Sequence, residues 1–427
     1  MIVPNTDLNL ATCPLADVDT MDADFLQHPH PFYARLRHEA PVFRDPKTGI
    51  IFVNTYDLVK QVCAKPKIFS NKFGEQLKSG AATDQDPEEV AIQEQGWIIK
   101  DTMLTADPPE HTRYRKLCMK AFSYKRVLQM SEYVETLVHQ LIDELPQSGA
   151  LEFKSEFANK LPTFVIADSL GVPREHFDKF EQWSNAFIVQ LSGIADKPQR
   201  LWAARTVVEF QKYFVDVIEE KRVNPTEDVI SDLVHADLAE EGDNRKMEYV
   251  ELLSIIQQLL VAGIETTAHT LTAGLYYLLQ HPKQMQALRT DPSLVDNFVE
   301  ETLRYLSPTN NMWRVASEDT EIDGVEVNKN DLLLIRFGSG NRDEGKFEDP
   351  DEFDLTRGNS KEHLAFGAGI HTCIGAQLAR KELQTAFPII LERLKTLKIS
   401  DAQEDLVYLP SILLRGVLEL NIEYEKA

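Results

Sequence analysis

A mainly α fold with small β-sheets is what this sequence predicts, and three observations carry that expectation. Apolar residues recur at three- and four-residue spacings over 122–146, 174–192, 199–222, 250–280 and 293–306, the stripe a helix needs to bury one face. Strand-like patterns are confined to short pieces: 42–43 and 50–53 around a DPKTG turn, 321–327 and 332–337 around further turn residues, and an alternation over 406–424. No composition break, long Gly/Ser linker or internal repeat divides the 427 residues. They read as one domain over 1–427, with 1–30 as an N-terminal extension, a polar loop-like region at 71–96 and no room for a fused reductase.

Composition narrows the function. Lys+Arg 45 against Asp+Glu 68 gives a net charge of −23, so the average surface repels nucleic acid and anionic lipid. The four cysteines, Cys13, Cys63, Cys118 and Cys373, show no C-x-x-C spacing, which suits a reducing cytoplasm better than a disulfide framework. The first residues lack the basic and apolar regions of a signal peptide, and no uninterrupted apolar run reaches ~18 residues, so neither export nor a membrane span is expected.

The segment 250–280 would run about 45 Å as one helix at ~1.5 Å per residue, enough to cross a domain. Leu252, Ile256, Leu259, Gly263, Thr266 and Thr270 fall on one face. Gly263 costs roughly 1 kcal/mol there against alanine, and Glu265 and Thr266 follow it in apolar surroundings. Such a combination asks for a compensating role.

The stretch 363–383, HLAFGAGIHTCIGAQLARKEL, places Cys373 in a glycine-rich turn before an amphipathic helix. Backbone N–H groups and the positive helix end favour a thiolate there. Taken alone, such a cysteine suits a metal ligand, a nucleophile or a small core residue. The pattern Phe366-Gly367-x-Gly369-x-His371-x-Cys373-x-Gly375, however, matches at each fixed position the proximal-ligand signature of the haem-thiolate monooxygenases, the cytochrome P-450 superfamily.

Other segments resemble that family in order and spacing, over about 31–415. Glu301 and Arg304 resemble its Glu-x-x-Arg helix, and FEDPDEFDLTR its meander, whose Arg357 would complete a structural triad. Ala262-Gly263-Ile264-Glu265-Thr266-Thr267 resembles its oxygen-activation segment, with Gly263 letting the helix approach a flat cofactor and Ala262, Glu265 and Thr266 serving dioxygen and its protons. His111, Arg115, Arg314 and His371 are the cations expected at the haem propionates, with Phe366, Gly367 and Gly375 shaping the cysteine loop. The resemblance thus implies a triangular helical domain with a long central helix over haem b and Cys373 beneath the iron.

Substrate-facing positions implied by the resemblance are Trp97, Ile98, Phe187, Leu191, Leu259, Ala262, Asn310, Asn311, Met312, Ile412 and Leu413. Most are apolar, which points to a hydrophobic terpenoid, steroid, fatty acid or aromatic, with Asn310 or Asn311 anchoring one oxygen. Residues 111–130 carry Arg113, Arg115, Lys116, Lys120, Lys125 and Arg126 and no acid, a candidate docking face for an acidic ferredoxin fed by NAD(P)H through a separate reductase. Two other classes compete: a cysteine hydrolase with Cys373 as nucleophile and His371 or His111 as base, and a haem sensor without chemistry.

Overall fold

In the computed structural model the residues described are 10, 12–74, 86–122, 124–173, 176–192, 195–236, 246–403 and 405–427. The first part of the chain supplies α1 (Ala23–Gln27), α2 (His30–Glu39), α3 (Tyr56–Cys63) and α4 (Pro87–Gln93), with strands β1 (Val42–Arg44), β2 (Ile51–Val53) and β3 (Phe69–Ser70). The α4 helix lies inside the stretch expected to be a loop, where Asp86 caps its first turn; residues 75–85 of that stretch lie outside the described set.

The helical half follows. It comprises α5 (Glu110–Ala121), α6 (Tyr124–Glu144), α7 (Lys160–Ser169), α8 (Phe177–Ser192), α9 (Lys197–Val223), α10 (Val229–His235), α11 (Tyr249–Gln280), α12 (Pro282–Thr290) and α13 (Val295–Leu306), with β4 (Ser148–Glu152) between α6 and α7. The last part holds β5 (Asn311–Ala316), β6 (Thr320–Ile322), β7 (Val325–Val327), β8 (Leu332–Arg336), the single turn α14 (Phe337–Gly340), α15 (Ala376–Arg393), β9 (Lys398–Ile399) and β10 (Asn421–Glu425).

The largest sheet runs β1-β2-β8-β5-β3, with β2 parallel to β8 through Ile51↔Leu333 and its other pairs antiparallel. Most of 406–424, expected as strands, is instead a loop fastened by isolated bridges such as Thr309↔Leu414 and Tyr408↔Val417. Its carbonyls are taken by neighbouring segments rather than by a ladder: Leu413 O accepts both Asn310 N–H and Asn311 N–H.

The central helix α11 organises everything else. A capping interaction between Glu248 and Glu251 starts it, and His281 and Pro282 end it. By length and apolarity it could cross a membrane, yet it is largely enclosed by the rest of the protein. Residues 252–264 of α11 contribute to an apolar cluster with α7, α8 and α9, whereas 271–278 join a second cluster with α6, α13 and α15. The polar stretch 265–270 therefore lies at the seam between two cores. Desolvating Glu265 and His269 there is costly, which marks the seam as a functional place.

Candidate active site

Gly367 and Gly369 adopt φ of 71° and 72°, a conformation that favours glycine. At Gly369 a Cβ would stand 2.3 Å from the Cys63 carbonyl oxygen, so the loop packs against α3 only without a side chain. Cys373 N–H donates to Phe366 O at 2.8 Å and closes the turn. The N–H groups of Gly375 and Ala376, at the start of α15, donate to the Cys373 sulfur. The residue is exposed at its own surface, while protein crowds it at longer range.

Burial pushes the Cys373 thiol pKa up, and the two N–H donors with Arg115 and Arg380 offset this only in part. The sequence expectation of a thiolate needs that correction: donors favour the charged sulfur, but desolvation outweighs them. A metal cation bound at the sulfur reverses the balance, because a coordinating thiol is deprotonated outright.

The four expected cations converge near this loop, with different charges from those assumed. Arg115 donates to Thr372 O at 2.7 Å, next to Cys373. Arg314, buried on β5, donates to Trp313 O at 2.7 Å and bonds the Cys63 sulfur. The rings of His111 and His371 lie 4.2 Å apart. Burial, His111 and Arg314 lower the His371 pKa to about 3, and burial with Arg115 lowers that of His111. Both imidazoles are therefore neutral at pH 7. His371 Nδ1 lies 3.2 Å from Met103 O, whereas His371 Nε2 and both His111 nitrogens are buried without partners.

Opposite these groups stands the open face of α11. Ala262 is exposed and Gln258 and Thr266 half-buried at four-residue spacing, within a helix otherwise mostly enclosed. Leu104 N–H donates to Gln258 Oε1 at 3.2 Å, so Met103 and Leu104 tie the cysteine loop to this face. Thr266 Oγ1 donates to Ala262 O at 2.8 Å, leaving its lone pairs as acceptors. Gly263 also serves packing: a Cβ there would lie 3.2 Å from Ile166 Cδ1, so the glycine lets α11 pack closely on α7. Glu265 is buried against Ser184 and His269.

The loop is held from behind. Arg304 pairs with Glu301 at 2.7 and 2.8 Å, and Arg357 Nε lies 3.1 Å from both Glu301 oxygens. The two guanidiniums also bind the carbonyls of Asn341, Pro350, Asp349 and Glu352, which fixes the segment before the cysteine loop. An i,i+3 ion pair that would be weak on a surface is here fully buried.

A model of the cytochrome P450 family matches residues 27–417. The chain belongs to this family. It is 35% identical over 419 residues to cytochrome P450 107B1 of Saccharopolyspora erythraea, covering 97% of this chain and 99% of that one. It is 34% identical over 421 residues to 6-deoxyerythronolide B hydroxylase of the same organism, covering 97% and 100%. The solved structure of CYP109Q5 from Chondromyces apiculatus superposes with a TM-score of 0.83 at 33% identity, covering 97% and 100%. The protein is a P450 monooxygenase, and its family's cofactor is a haem with a cysteine thiolate ligand.

The residues of this P450 fit that group: a sulfur with two N–H donors, two guanidiniums, and the His111 imidazole, which as a neutral ring has one N–H to donate to a carboxylate and no partner among the described residues. Sequence reasoning missed Glu300, buried beside Glu301, which binds Arg380 at 2.6 and 3.0 Å and His363 at 3.0 Å. It stitches α13 to both ends of the cysteine loop. The adjacent acids Glu300 and Glu301 in an otherwise apolar helix were the available signal.

Several expected pocket residues of the P450 lie elsewhere. Ile98 is 88% exposed. Trp97 is fastened to Gln211 through both backbone groups and packs on Tyr249, roughly 20 Å along α11 from Ala262. Phe187 is buried edge-on against Phe210 in an aromatic cluster. Asn310 and Asn311 are buried, each amide donating one N–H, to Tyr33 and to Ile412 O respectively, which leaves each a second N–H and an unpartnered Oδ1 among the described residues. Met312, Ile412 and Leu413 are half-buried beside the sheet, Leu259 is buried on α11, and the side chain of Leu191 lies outside the described residues.

The basic segment is also reshaped. Arg113 turns inward to Tyr114 and Glu251, Arg115 serves the cysteine loop, and Arg126 pairs with Asp232 at 2.6 Å. Lys116 and Lys120 are exposed, with Met119 at 54% exposure between them; the side chain of Lys125 lies outside the described residues.

Proposed function

We propose that this P450 binds haem b in the cytoplasm and hydroxylates or epoxidises a hydrophobic small organic substrate with dioxygen. Electrons come from NAD(P)H through a separate ferredoxin and its reductase. The observation that carries this reading is the cysteine loop, with two N–H donors on Sγ, tied through Met103 and Leu104 to the open face at Ala262 and Thr266.

When bound through thiolate, haem supplies the electron-rich iron that favours O–O cleavage. The chain does the rest. Cys373 provides the sulfur; Arg115 and Arg314 provide charge for the two propionates, neutral His111 provides an N–H donor, and neutral His371, with its proton toward Met103 O, fixes the loop beside them. Ala262 keeps one patch of α11 bare for dioxygen. The Thr266 hydroxyl, anchored on Ala262 O, accepts and passes hydrogen bonds at that patch, and Glu265 supplies protons to it. Exposed Lys116 and Lys120 flanking Met119 give the ferredoxin a face that is both basic and apolar.

A relative that hydroxylates 6-deoxyerythronolide B makes that compound one to screen, beside terpenoids, steroids, fatty acids and aromatics. Compounds shifting the Soret band would then be turned over with ferredoxin, reductase and NADPH under ¹⁸O₂. One labelled oxygen per product is expected; unlabelled product, or a colourless purified protein, would overturn the reading. The hydrolase alternative is disfavoured by geometry: among the described residues neither His111 nor His371 is hydrogen-bonded to Cys373, and a His371 pKa of about 3 suits no general base at pH 7.

A further inference from the structure

At the seam of α11, Glu265 has a partner for which the P450 reading has no role. His269 lies one turn further along the same helix, 2% exposed, with Nε2 3.3 Å from Glu265 Oε2. The ring is wedged against the chain at Gly416, where a Cβ would stand 2.3 Å from its carbons, so it has no room to turn away. Among the described residues neither ring nitrogen meets hydrogen-bond geometry with any group, so the 3.3 Å approach to Glu265 is a close polar contact and the nearest carboxylate the ring has.

The other groups facing Glu265 are few. Ser184 of α8 offers its hydroxyl at 3.4 Å, and Lys154, in the turn Lys154–Ala158 before α7, acts only through its charge. Burial would hold the Glu265 carboxyl neutral, yet His269, Lys154 and Ser184 together bring its pKa below the ordinary value.

We propose that His269 is the positioning residue of Glu265, fixing the buried carboxylate next in the chain to Thr266 and setting how readily it takes up the proton it delivers. The inference rests on the proton-supplying role given to Glu265 above. Protonating the carboxyl removes its charge and weakens its hold on His269, so a stronger pair makes Glu265 slower to take up a proton and readier to release it. Thr266, whose hydroxyl is engaged with Ala262 O, makes no contact with His269 that would let the histidine act on it directly.

The test compares His269→Phe, which removes the donor, with His269→Asn, which keeps a donor that cannot titrate, in haem-loaded protein. In His269→Phe the expected result is a roughly tenfold rise in peroxide released per NADPH, the order of coupling that two polar residues in contact carry, with the substrate-induced Soret shift unchanged. In His269→Asn coupling is partly restored and its pH profile is flatter than that of the wild type. A readout without turnover accompanies these: unfolding free energies at pH 7 for Glu265→Gln, His269→Asn and the double variant, which should be non-additive. Wild-type coupling and pH profile in both variants, or strict additivity in the cycle, would overturn the proposal. Should the wild type fail to turn over oxygen at all, the monooxygenase reading falls, while the cycle still decides whether the pair exists.

Discussion

Thr266 is the residue on which the oxygen chemistry of this account turns. Its hydroxyl lies on the open face of α11 and is held by its own helix, donating to Ala262 O. Thr266→Ala should therefore leave the substrate-induced spectral shift nearly intact while product per NADPH falls and peroxide rises; lost affinity with normal coupling would place Thr266 in the pocket wall instead. Glu300 is the second decisive side chain. Burial works against its charge, but His363 and Arg380 outweigh burial and hold its pKa at about 2 against an ordinary 4.5. A lowered carboxyl pKa stabilises the fold above pH 4.5, and that contribution is lost as pH falls toward 2. At about 1.4 kcal/mol per pKa unit this amounts to roughly 3 kcal/mol. Glu300→Gln should lower stability at pH 7 by that order and remove the acid slope in urea unfolding measured from pH 7 to pH 3. An unchanged slope would show the pair to be a bystander.

Side chains whose chemistry is local were legible in the sequence, and those whose partners are distant were not. Cys373 announces itself through its glycine turn and the pattern around it, while Glu301, Arg304 and Arg357, uninformative alone, were legible through their resemblance to family segments in order and spacing. His111 and His371 were read as cations, whereas burial with Arg115 keeps His111 neutral, and burial with His111 and Arg314, distant in sequence, keeps His371 neutral.

At the scale of elements, the cysteine loop is a rigid piece held by the Glu301 triad and by glycine contacts. Gly369→Ala combines a positive φ with a methyl 2.3 Å from the Cys63 carbonyl. Strain of that kind costs on the order of 1–3 kcal/mol, and the variant should show a lower melting midpoint and weaker haem retention. Glu301→Gln leaves Arg304 and Arg357 buried without a counter-charge, so a loss of about 3–5 kcal/mol is expected, read as a fall in urea midpoint and in Soret-to-280 nm ratio. A near-wild-type midpoint would mean that the meander carbonyls alone hold the guanidiniums. The length of α11 was readable from its 3.6-residue period. The packing role of Gly263 was not, because it depends on Ile166 of α7 rather than on anything nearby in sequence. Likewise the alternation at 406–424 became only a short bridged turn and β10, because its backbone groups are divided between one another, as Leu409 N–H on Gly416 O and Leu418 N–H on Val407 O, and the segment after Pro308.

For the whole molecule, the account joins an acidic protein to an acidic electron donor through one small exception on its surface. Lys116→Glu and Lys120→Glu should each slow reduction by ferredoxin and weaken its dependence on salt, with CO binding unaffected; stopped-flow reduction checks this, and unchanged rates in both would reject the face. Beneath that surface, the two apolar clusters, the seam of α11 and the braced loop serve one arrangement: a cysteine sulfur presented to haem iron. The most direct measurement is the carbon monoxide difference spectrum of the dithionite-reduced protein and its cysteine variants. The account predicts the red-shifted Soret band of a thiolate-ligated haem in the wild type and in Cys13→Ala, Cys63→Ala and Cys118→Ala, and its loss in Cys373→Ser. A band that survives in Cys373→Ser, or is missing from the wild type, would contradict it.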